Sequence, residues 1–122
     1  MESVPIEIKL RKKSKLLSVH YPKNETLEFS FEFLRVHSPS AEVKGHGPDQ
    51  SVLQINKEKV LIKSIKPVGN YGVKLIFDDG HDTGIFTWIY LQELGKNKEK
   101  LWRAYLDQLK SSGYTRYDSQ KE

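Results

Sequence analysis

The sequence contains no cysteine among its 122 residues. Disulfide bonds, thiolate metal sites, cysteine-ligated clusters and a cysteine nucleophile are therefore excluded for this chain. It also lacks any apolar run near the roughly 20 residues that a membrane-spanning helix needs. Its first residues show no basic segment followed by an apolar stretch of signal-peptide length. We therefore expect a cytoplasmic protein without membrane contact.

Charge of one sign is only in slight excess, with 20 Lys and Arg against 16 Asp and Glu. Basic residues gather at 9–15 and again at 96–110, where acidic residues separate them. Such groups are typical of a solvated surface, so we expect no contact with nucleic acid. No repeat, linker or low-complexity tract divides the chain. Residues 1–122 are therefore predicted to form a single domain, with flexible ends at 1–4 and 114–122.

Apolar residues in the first third of the chain predict a β-rich beginning. Alternation over residues 5–21 predicts an N-terminal β-hairpin, and residues 27–29 predict a further short strand. Ser30 is a predicted N-cap for a short helix that ends before Pro39. Residues 38–52 are predicted to be a loop, because proline and glycine interrupt both helix and strand there.

The rest of the chain predicts a three-stranded antiparallel β-meander at 58–86, followed by helices. Thr87 is a predicted cap for a helix that ends with Gly95 in a left-handed conformation. Asn97 is the predicted cap of a second helix, which ends at Gly113. The fold class is therefore predicted to be α+β. The second helix carries on one face the apolar residues Leu101, Trp102, Tyr105, Leu106 and Leu109.

No constellation of residues indicates catalysis. The four histidines form no His-x-Asp or His-Glu-x-x-His pair. Asp78 and Asp79 are neighbours in a predicted turn, where their side chains point apart, so turn formation accounts for them. The Gly45–Gly47 stretch lacks the lysine and following helix of a phosphate-binding loop. We therefore predict that this chain alone is not an enzyme.

Several motifs occur together in a combination that resembles a known family. They are LRVHSPSAEV at 34–43, GHG at 45–47, PVGNY at 67–71 and FDDGHDTGIFTW at 77–88. On these motifs the chain resembles the gamma-butyrobetaine hydroxylase-like N-terminal domain family, and in particular its small stand-alone bacterial members. The resemblance runs from about Ile6 to Leu94.

The resemblance implies a binding or adaptor module rather than a catalyst. In the hydroxylases of carnitine biosynthesis the similar domain precedes the catalytic oxygenase domain and is itself non-catalytic. Similar modules are also fused to P-loop ATPases that carry iron–sulfur clusters, so a P-loop iron–sulfur cluster carrier is an expected protein partner. The surface that would meet this partner, or a small ligand, is predicted to comprise Arg35, His37, Ser38, Glu42, His46, Asp79, His81 and Asp82.

Metal binding is the alternative function that the sequence leaves open. His37, His46 and His81 offer three imidazoles, and a carboxylate such as Asp79 or Asp82 offers a fourth ligand. Imidazole and carboxylate ligands together suit Fe²⁺, Zn²⁺ or Ni²⁺, and the pattern selects none of them.

The resemblance also implies where a structural zinc would lie. In the hydroxylase members three cysteines after a Leu-Arg pair and one histidine in an Asp-Gly-His turn hold the ion. The corresponding positions here are Ser38, Ser40, Val43 and His81. Because a serine hydroxyl is a poor zinc ligand and valine is none, we predict no structural zinc and no cofactor. We expect hydrogen bonds from Ser38, Ser40 and His81 to neighbouring backbone groups in its place.

Overall fold

The computed structural model describes residues 4–44 and 52–116. Within them lie two three-stranded antiparallel sheets, of order β1-β2-β3 and β4-β5-β6, and four helices. The elements are β1 (Glu7–Arg11), β2 (Leu16–Tyr21), β3 (Glu25–Ser30), α1 (Phe31–Val36), α2 (Ala41–Lys44), β4 (Ile62–Val68), β5 (Gly72–Phe77), β6 (Ile85–Thr87), α3 (Trp88–Lys96) and α4 (Lys98–Ser111). The predicted α+β class and the order of hairpin, short helix, meander and C-terminal helices are confirmed.

The first sheet buries one strand between two partly exposed ones. β2 pairs with β1 on one side, where Ile8 faces Val19, and with β3 on the other, where Leu17 faces Phe29. The turn between β2 and β3 has positive φ angles at Lys23 and Asn24, as a tight hairpin turn requires. The central strand therefore contributes most of this sheet's core residues.

The short helix α1 begins where the sequence predicts it. The Ser30 hydroxyl accepts a hydrogen bond from the Phe33 N–H, so Ser30 is confirmed as the N-cap. The prediction of an unbroken loop over 38–52 is wrong at α2. Ser40 begins this single turn because its hydroxyl accepts a hydrogen bond from the Glu42 N–H. Residues 45–51 lie outside the described part of the chain.

The second sheet has one face in the core and one toward solvent. Val73, Leu75 and Phe77 on β5 point inward, whereas Lys74 and Ile76 point outward. β6 packs closely on β5 at Gly72, where an added Cβ would lie 2.5 Å from the Phe86 carbonyl oxygen. The turn from β5 to β6 uses the left-handed conformation of Gly80, whose φ is 89°.

The helix α3 begins as predicted but ends differently. The Thr87 hydroxyl accepts a hydrogen bond from the Tyr90 N–H, which confirms its role as cap. The predicted left-handed residue at Gly95 is wrong, since Gly95 lies inside the helix. A Cβ there would come within 2.9 Å of the Leu27 side chain, so this glycine permits close packing of α3 on the first sheet. Asn97 stands at the start of α4, but its side chain makes no cap and donates to the Glu93 carbonyl oxygen instead.

The main core fills the space between the sheets, α1 and α3. A smaller cluster under α4 consists of Val36, Tyr105 and Leu109. In the C-terminal segment expected to be flexible, Tyr114 donates a 2.6 Å hydrogen bond to Glu58 and Arg116 pairs with Glu32. No helix in the described part of the chain is long and apolar enough to cross a membrane. The main core contains Leu17, Val19, Tyr21, Phe29, Phe31, Phe33, Leu34, Val60, Ile62, Val73, Leu75, Phe77, Phe86, Leu91 and Leu94.

Candidate functional site

A cluster of polar side chains lies where the segment after α1 meets the turn between β5 and β6. We call it the polar corner. The segment from α1 to α2 supplies one part of it, the turn after β5 supplies another, and Lys57 joins from an irregular segment, so residues more than 40 positions apart come into contact. Its members are Arg35, Ser38, Ser40, Glu42, Lys57, Asp79, His81 and Thr83.

His81 is the centre of the polar corner and is only 4% exposed. Its Nε2 lies 2.8 Å from the Ser38 hydroxyl, and its Nδ1 lies 2.7 Å from a Glu42 carboxylate oxygen. Burial, helped by the nearby Arg35 charge, lowers the pKa of His81, although Glu42 opposes the shift. The ring is therefore neutral at pH 7. The hydrogen-bond network assigns its proton to Nδ1, which donates to Glu42, while Nε2 accepts from the Ser38 hydroxyl.

This order of serine, histidine and carboxylate is the order found in a hydrolytic triad. Ser38 is 0% exposed, however, and the backbone of Gly84 lies against its hydroxyl. A Cβ at position 84 would lie 2.1 Å from the Ser38 oxygen, which measures how closely the two segments approach. A substrate carbonyl has no room at that oxygen. In this conformation the hydrogen bonds of Ser38, His81 and Glu42 hold the two segments together, and the Ser38 hydroxyl is not accessible as a nucleophile.

Two further hydroxyls extend the same network toward the surface. Thr83 donates a 2.9 Å hydrogen bond to Glu42, and its oxygen lies 2.6 Å from the Ser40 hydroxyl. The Ser38 hydroxyl also accepts a 3.4 Å hydrogen bond from the Ser40 N–H. Ser38, Ser40 and His81, three of the four positions at which the resemblance implies zinc ligands, are therefore joined here by hydrogen bonds, whereas the fourth, Val43, has no polar side chain. The hydrogen bonds from Ser38 and Ser40 reach backbone groups as predicted, but most of the network joins side chains.

Asp79 neutralises two cations at the other end of the polar corner. Its Oδ2 accepts from Arg35 Nε at 2.9 Å and from Lys57 Nζ at 2.6 Å, and its Oδ1 accepts from the His81 N–H. Burial alone would raise the pKa of Asp79, but these three donors outweigh it and hold the pKa at about 2. The Arg35 side chain is only 8% exposed, so Asp79 compensates a nearly buried charge.

The structure brings together five of the eight residues predicted to form a binding surface. Of these, Arg35, Ser38 and His81 are buried, and Glu42 and Asp79 reach solvent. Asp82 is exposed next to them. His37 faces away toward a groove, and His46 lies outside the described residues. Their part in binding stays a prediction.

Sequence reasoning did not include Lys57 and Thr83 in the site. Lys57 lies in an irregular segment far from the motifs, so no local pattern marks it as the second partner of Asp79. Thr83 lies inside the motif at 77–88, directly after the predicted site residues His81 and Asp82. Its hydroxyl at that position was the signal that could have identified it.

Within the described residues the histidines form no metal site. Both ring nitrogens of His81 are hydrogen-bonded, and Nδ1 of His37 donates to the Phe33 carbonyl oxygen at 3.0 Å. Across residues 4–44 and 52–116 no three His, Cys, Asp or Glu side chains lie close enough to hold an ion. Because His46 lies outside these ranges, the metal site of His37, His46 and His81 stays a prediction.

A groove of about 990 Å³ opens beside the polar corner, between the segment after α1, residues 52–54 and the helices α3 and α4. The Tyr105 hydroxyl fixes one wall by donating to the Gln54 carbonyl oxygen at 2.5 Å. Tyr90 fixes another by donating to the His37 carbonyl oxygen at 2.6 Å. Val36, Val43, Leu53, Leu94 and Leu101 form the apolar part of its lining, and Lys44, Glu93, Asn97, Lys100, Asp107 and Gln108 form the polar part.

His37 presents one ring nitrogen that is not used within the fold. Burial is the main cause that lowers the pKa of His37, and Lys44 adds to it. The neutral ring donates from Nδ1 to the Phe33 carbonyl oxygen, and its centroid lies 4.4 Å from that of the Phe33 ring in a tilted arrangement. Nε2 is therefore an acceptor, and no partner for it occurs in the described part of the chain. The groove thus combines apolar contacts with hydrogen-bonding groups, as binding sites for peptides and ligands do.

The chain is similar to several known proteins over most of its length. The family described as "Gamma-butyrobetaine hydroxylase-like, N-terminal" matches residues 8–92. Two NMR solution structures resemble it, one with 49% identity and a TM-score of 0.81 and one with 45% identity and a TM-score of 0.79. The first alignment covers 95% of this chain and 91% of the other, and the second covers 93% and 85%.

A crystal structure from Acidithiobacillus ferrooxidans ATCC 23270 is also similar. It is described as a protein of unknown function in the DUF971 family, with 38% identity, a TM-score of 0.63, and coverage of 75% of this chain and 91% of that one. No curated protein matches the chain. On the match over residues 8–92, this chain belongs to the gamma-butyrobetaine hydroxylase-like N-terminal family.

Proposed function

We propose that this chain is a non-catalytic docking module that receives a segment of a protein partner in the groove beside α4. The observation that carries the proposal is the groove itself, whose lining is partly apolar and partly hydrogen-bonding. A peptide segment suits such a lining, because its apolar side chains pack on Leu53 and Leu101 while its backbone N–H groups find acceptors such as His37 Nε2.

The polar corner supports this function by fixing one wall of the groove. Ser38 is fully buried behind the groove wall next to His37 and is held by His81, which in turn is held by Glu42. A wall that is already ordered loses little conformational freedom when a partner binds, which favours affinity. The polar corner is thus a support for the docking surface and needs no catalytic role.

The proposed partner class comes from what the resemblance implies. Similar modules are fused to P-loop ATPases that carry iron–sulfur clusters, and this chain has no cysteine with which to hold a cluster itself. We therefore propose a P-loop iron–sulfur cluster carrier as the partner, which the module contacts through protein surface alone.

The test is a titration of the purified chain with a purified P-loop iron–sulfur carrier, followed by calorimetry and NMR. Ala104 is exposed on α4 and lines the groove, so Ala104→Arg fills the groove while keeping a good helix former. Ser14→Arg adds the same side chain on the exposed turn between β1 and β2, away from the groove, and is the control.

We expect saturable binding by the wild type and by Ser14→Arg, and at least about tenfold weaker binding by Ala104→Arg. Equal binding by all three proteins would place the contact outside the groove. No binding by the wild type would exclude this partner class.

Metal binding through His37, His46 and His81 remains the alternative function. Elemental analysis of protein purified without a histidine tag tests it directly. About one Fe or Zn per chain, lost in His81→Ala, would support the alternative. We expect the protein to contain neither metal in stoichiometric amount.

A further inference from the structure

The outward face of the second sheet carries two lysines, Lys66 and Lys74, among small polar and aliphatic side chains. Residues 57–77, which include β4 and β5, contain five lysines and one glutamate, a net charge equal to the +4 of the whole chain, and one of these lysines, Lys57, pairs with Asp79 outside the sheet. Its outward side chains come from all three strands. We call the group of Ser64, Lys66, Val68, Lys74, Ile76 and Ile85 the lysine face.

Lys66 and Lys74 lie directly opposite each other in the register of β4 and β5. Residues opposite on one face of an antiparallel pair have Cβ atoms about 5 Å apart, and like charges at such positions destabilise the sheet. Neither lysine takes part in an ion pair within the described residues. The fold therefore tolerates a repulsion that a single substitution would remove.

Protection of an exposed sheet edge explains only part of this arrangement. β4 is an edge strand, and Lys63, Lys66 and Pro67 on it are residues that prevent pairing with other chains. Lys74, in contrast, lies on the central strand β5, which has no free edge. Its charge therefore serves the face of the sheet rather than its edge.

The neighbours of the two lysines are aliphatic. Ile85 lies opposite Lys74 on β6 and is 39% exposed, and Ile76 and Val68 lie on the same face. Sheet faces that bind nucleic acid present aromatic rings on which bases stack. The outward positions of this sheet carry no aromatic ring, so the face fits a peptide chain better than a nucleic acid.

We propose that the lysine face binds an acidic segment of a protein partner in which carboxylates alternate with aliphatic side chains. The carboxylates would pair with Lys66 and Lys74, and the aliphatic side chains would pack on Ile76 and Ile85. Such a segment relieves the repulsion between the lysines and covers the apolar area between them. This surface is separate from the groove beside α4, and the proposal does not depend on the groove.

The test uses a soluble octapeptide of alternating glutamate and valine as the probe, titrated into the isotopically labelled chain at low salt. A single-stranded DNA octamer of mixed sequence is the second probe. Lys66→Glu creates an opposite-charge pair with Lys74, whereas the double variant Lys66→Glu/Lys74→Glu restores a like-charge pair of the other sign. Lys13→Glu makes the same charge change on the exposed turn of the first sheet and is the control.

We expect the peptide to shift the NMR signals of Lys74, Ile76 and Ile85, and added salt to weaken its binding. Lys66→Glu should raise the melting temperature and weaken binding at least about fivefold. The double variant should melt near the wild type and bind weakest, while Lys13→Glu binds like the wild type. The binding and stability changes thus separate loss of the site from loss of the fold.

Three results would overturn the proposal. One is peptide binding that is absent at low salt, and another is binding that falls as much in Lys13→Glu as in Lys66→Glu. The third is tighter binding of the DNA octamer than of the peptide, which would assign the lysine face to nucleic acid.

Discussion

The polar corner and the lysine face differ in whether their charged side chains are paired. In the polar corner Asp79 neutralises Arg35 and Lys57, and the ring nitrogens of His81 are both hydrogen-bonded. On the lysine face Lys66 and Lys74 face each other without an acid between them. Buried charge must be paired for the chain to fold, whereas exposed charge costs little and stays available for a partner. Polar residues that stabilise this domain are therefore paired within it, whereas those available to a partner are exposed and unpaired.

Loss of the Asp79 carboxylate should give the largest effect in the polar corner. Asp79→Asn keeps the shape but leaves the buried Arg35 charge without its counter-ion, and we expect a loss of about 3 kcal/mol in the free energy of unfolding. This is the lower end for buried pairs, because the Asp79 side chain is still 23% exposed. Urea denaturation measures it.

Asp78→Asn is the matched control for Asp79→Asn. Asp78 is exposed and accepts a hydrogen bond from the Leu61 N–H, which an asparagine oxygen can also accept. We expect its cost to stay below about 1 kcal/mol. Equal losses in both variants would show that the pairing of Asp79 with Arg35 adds nothing measurable to the free energy of unfolding.

Crowding the Ser38 hydroxyl should cost somewhat less. In Gly84→Ala the new Cβ would lie 2.1 Å from that oxygen, so Ser38 must move and its bond to His81 must stretch. We expect a loss of about 2 kcal/mol, typical of an overpacked interior. In a Ser38→Ala background the same change should cost less than about 1 kcal/mol, since the clashing oxygen is gone. A double-mutant cycle measures this coupling, and additive losses would contradict it.

Acid should weaken the domain in two separate steps. The folded pKa values of His37 and His81 lie below their ordinary value of 6.5, so the unfolded chain binds protons more readily. The contribution of these two histidines to the free energy of unfolding is therefore fully present above pH 6.5 and declines as the pH falls below it. Asp79 has a folded pKa of about 2 against 3.8 ordinarily, so its contribution is lost only as the pH falls from about 4 toward 2.

Denaturation midpoints between about pH 8 and pH 5 check the first step. His81→Gln removes one of the two rings whose pKa is lowered in the fold and should flatten the decline, even though it lowers stability at every pH. A slope as steep as that of the wild type would show that His81 does not contribute to it.

The smallest effect should come from the lysine face. Salt screens the repulsion between Lys66 and Lys74, so high salt should stabilise the wild type by about 0.2–0.5 kcal/mol more than it stabilises Lys74→Thr. Threonine suits a strand and removes the charge. The difference between the two proteins in urea denaturation at low and high salt measures this contribution. If salt stabilises both equally, the two lysines do not repel each other measurably.

The sequence by itself determined the elements of this protein except α2, and most of their ends. Alternation predicted the hairpin and the meander, and Ser30 and Thr87 capped α1 and α3 as predicted, because these signals act within a few residues. The local signal at Gly95 predicted a left-handed helix end wrongly, because this glycine lies inside α3 and packs against Leu27, which lies far away in the sequence.

Only the tertiary structure decided which polar residues are buried and which remain open. The contact between Ser38 and His81 spans 43 positions, and it places a predicted surface residue in the interior. The opposition of Lys66 and Lys74 depends on the register of β4 and β5, which a bulge between Ile62 and Ser64 shifts. Local sequence patterns fix the conformation of short segments, but burial and charge pairing arise from the way distant segments pack, and no local pattern in one sequence encodes that packing.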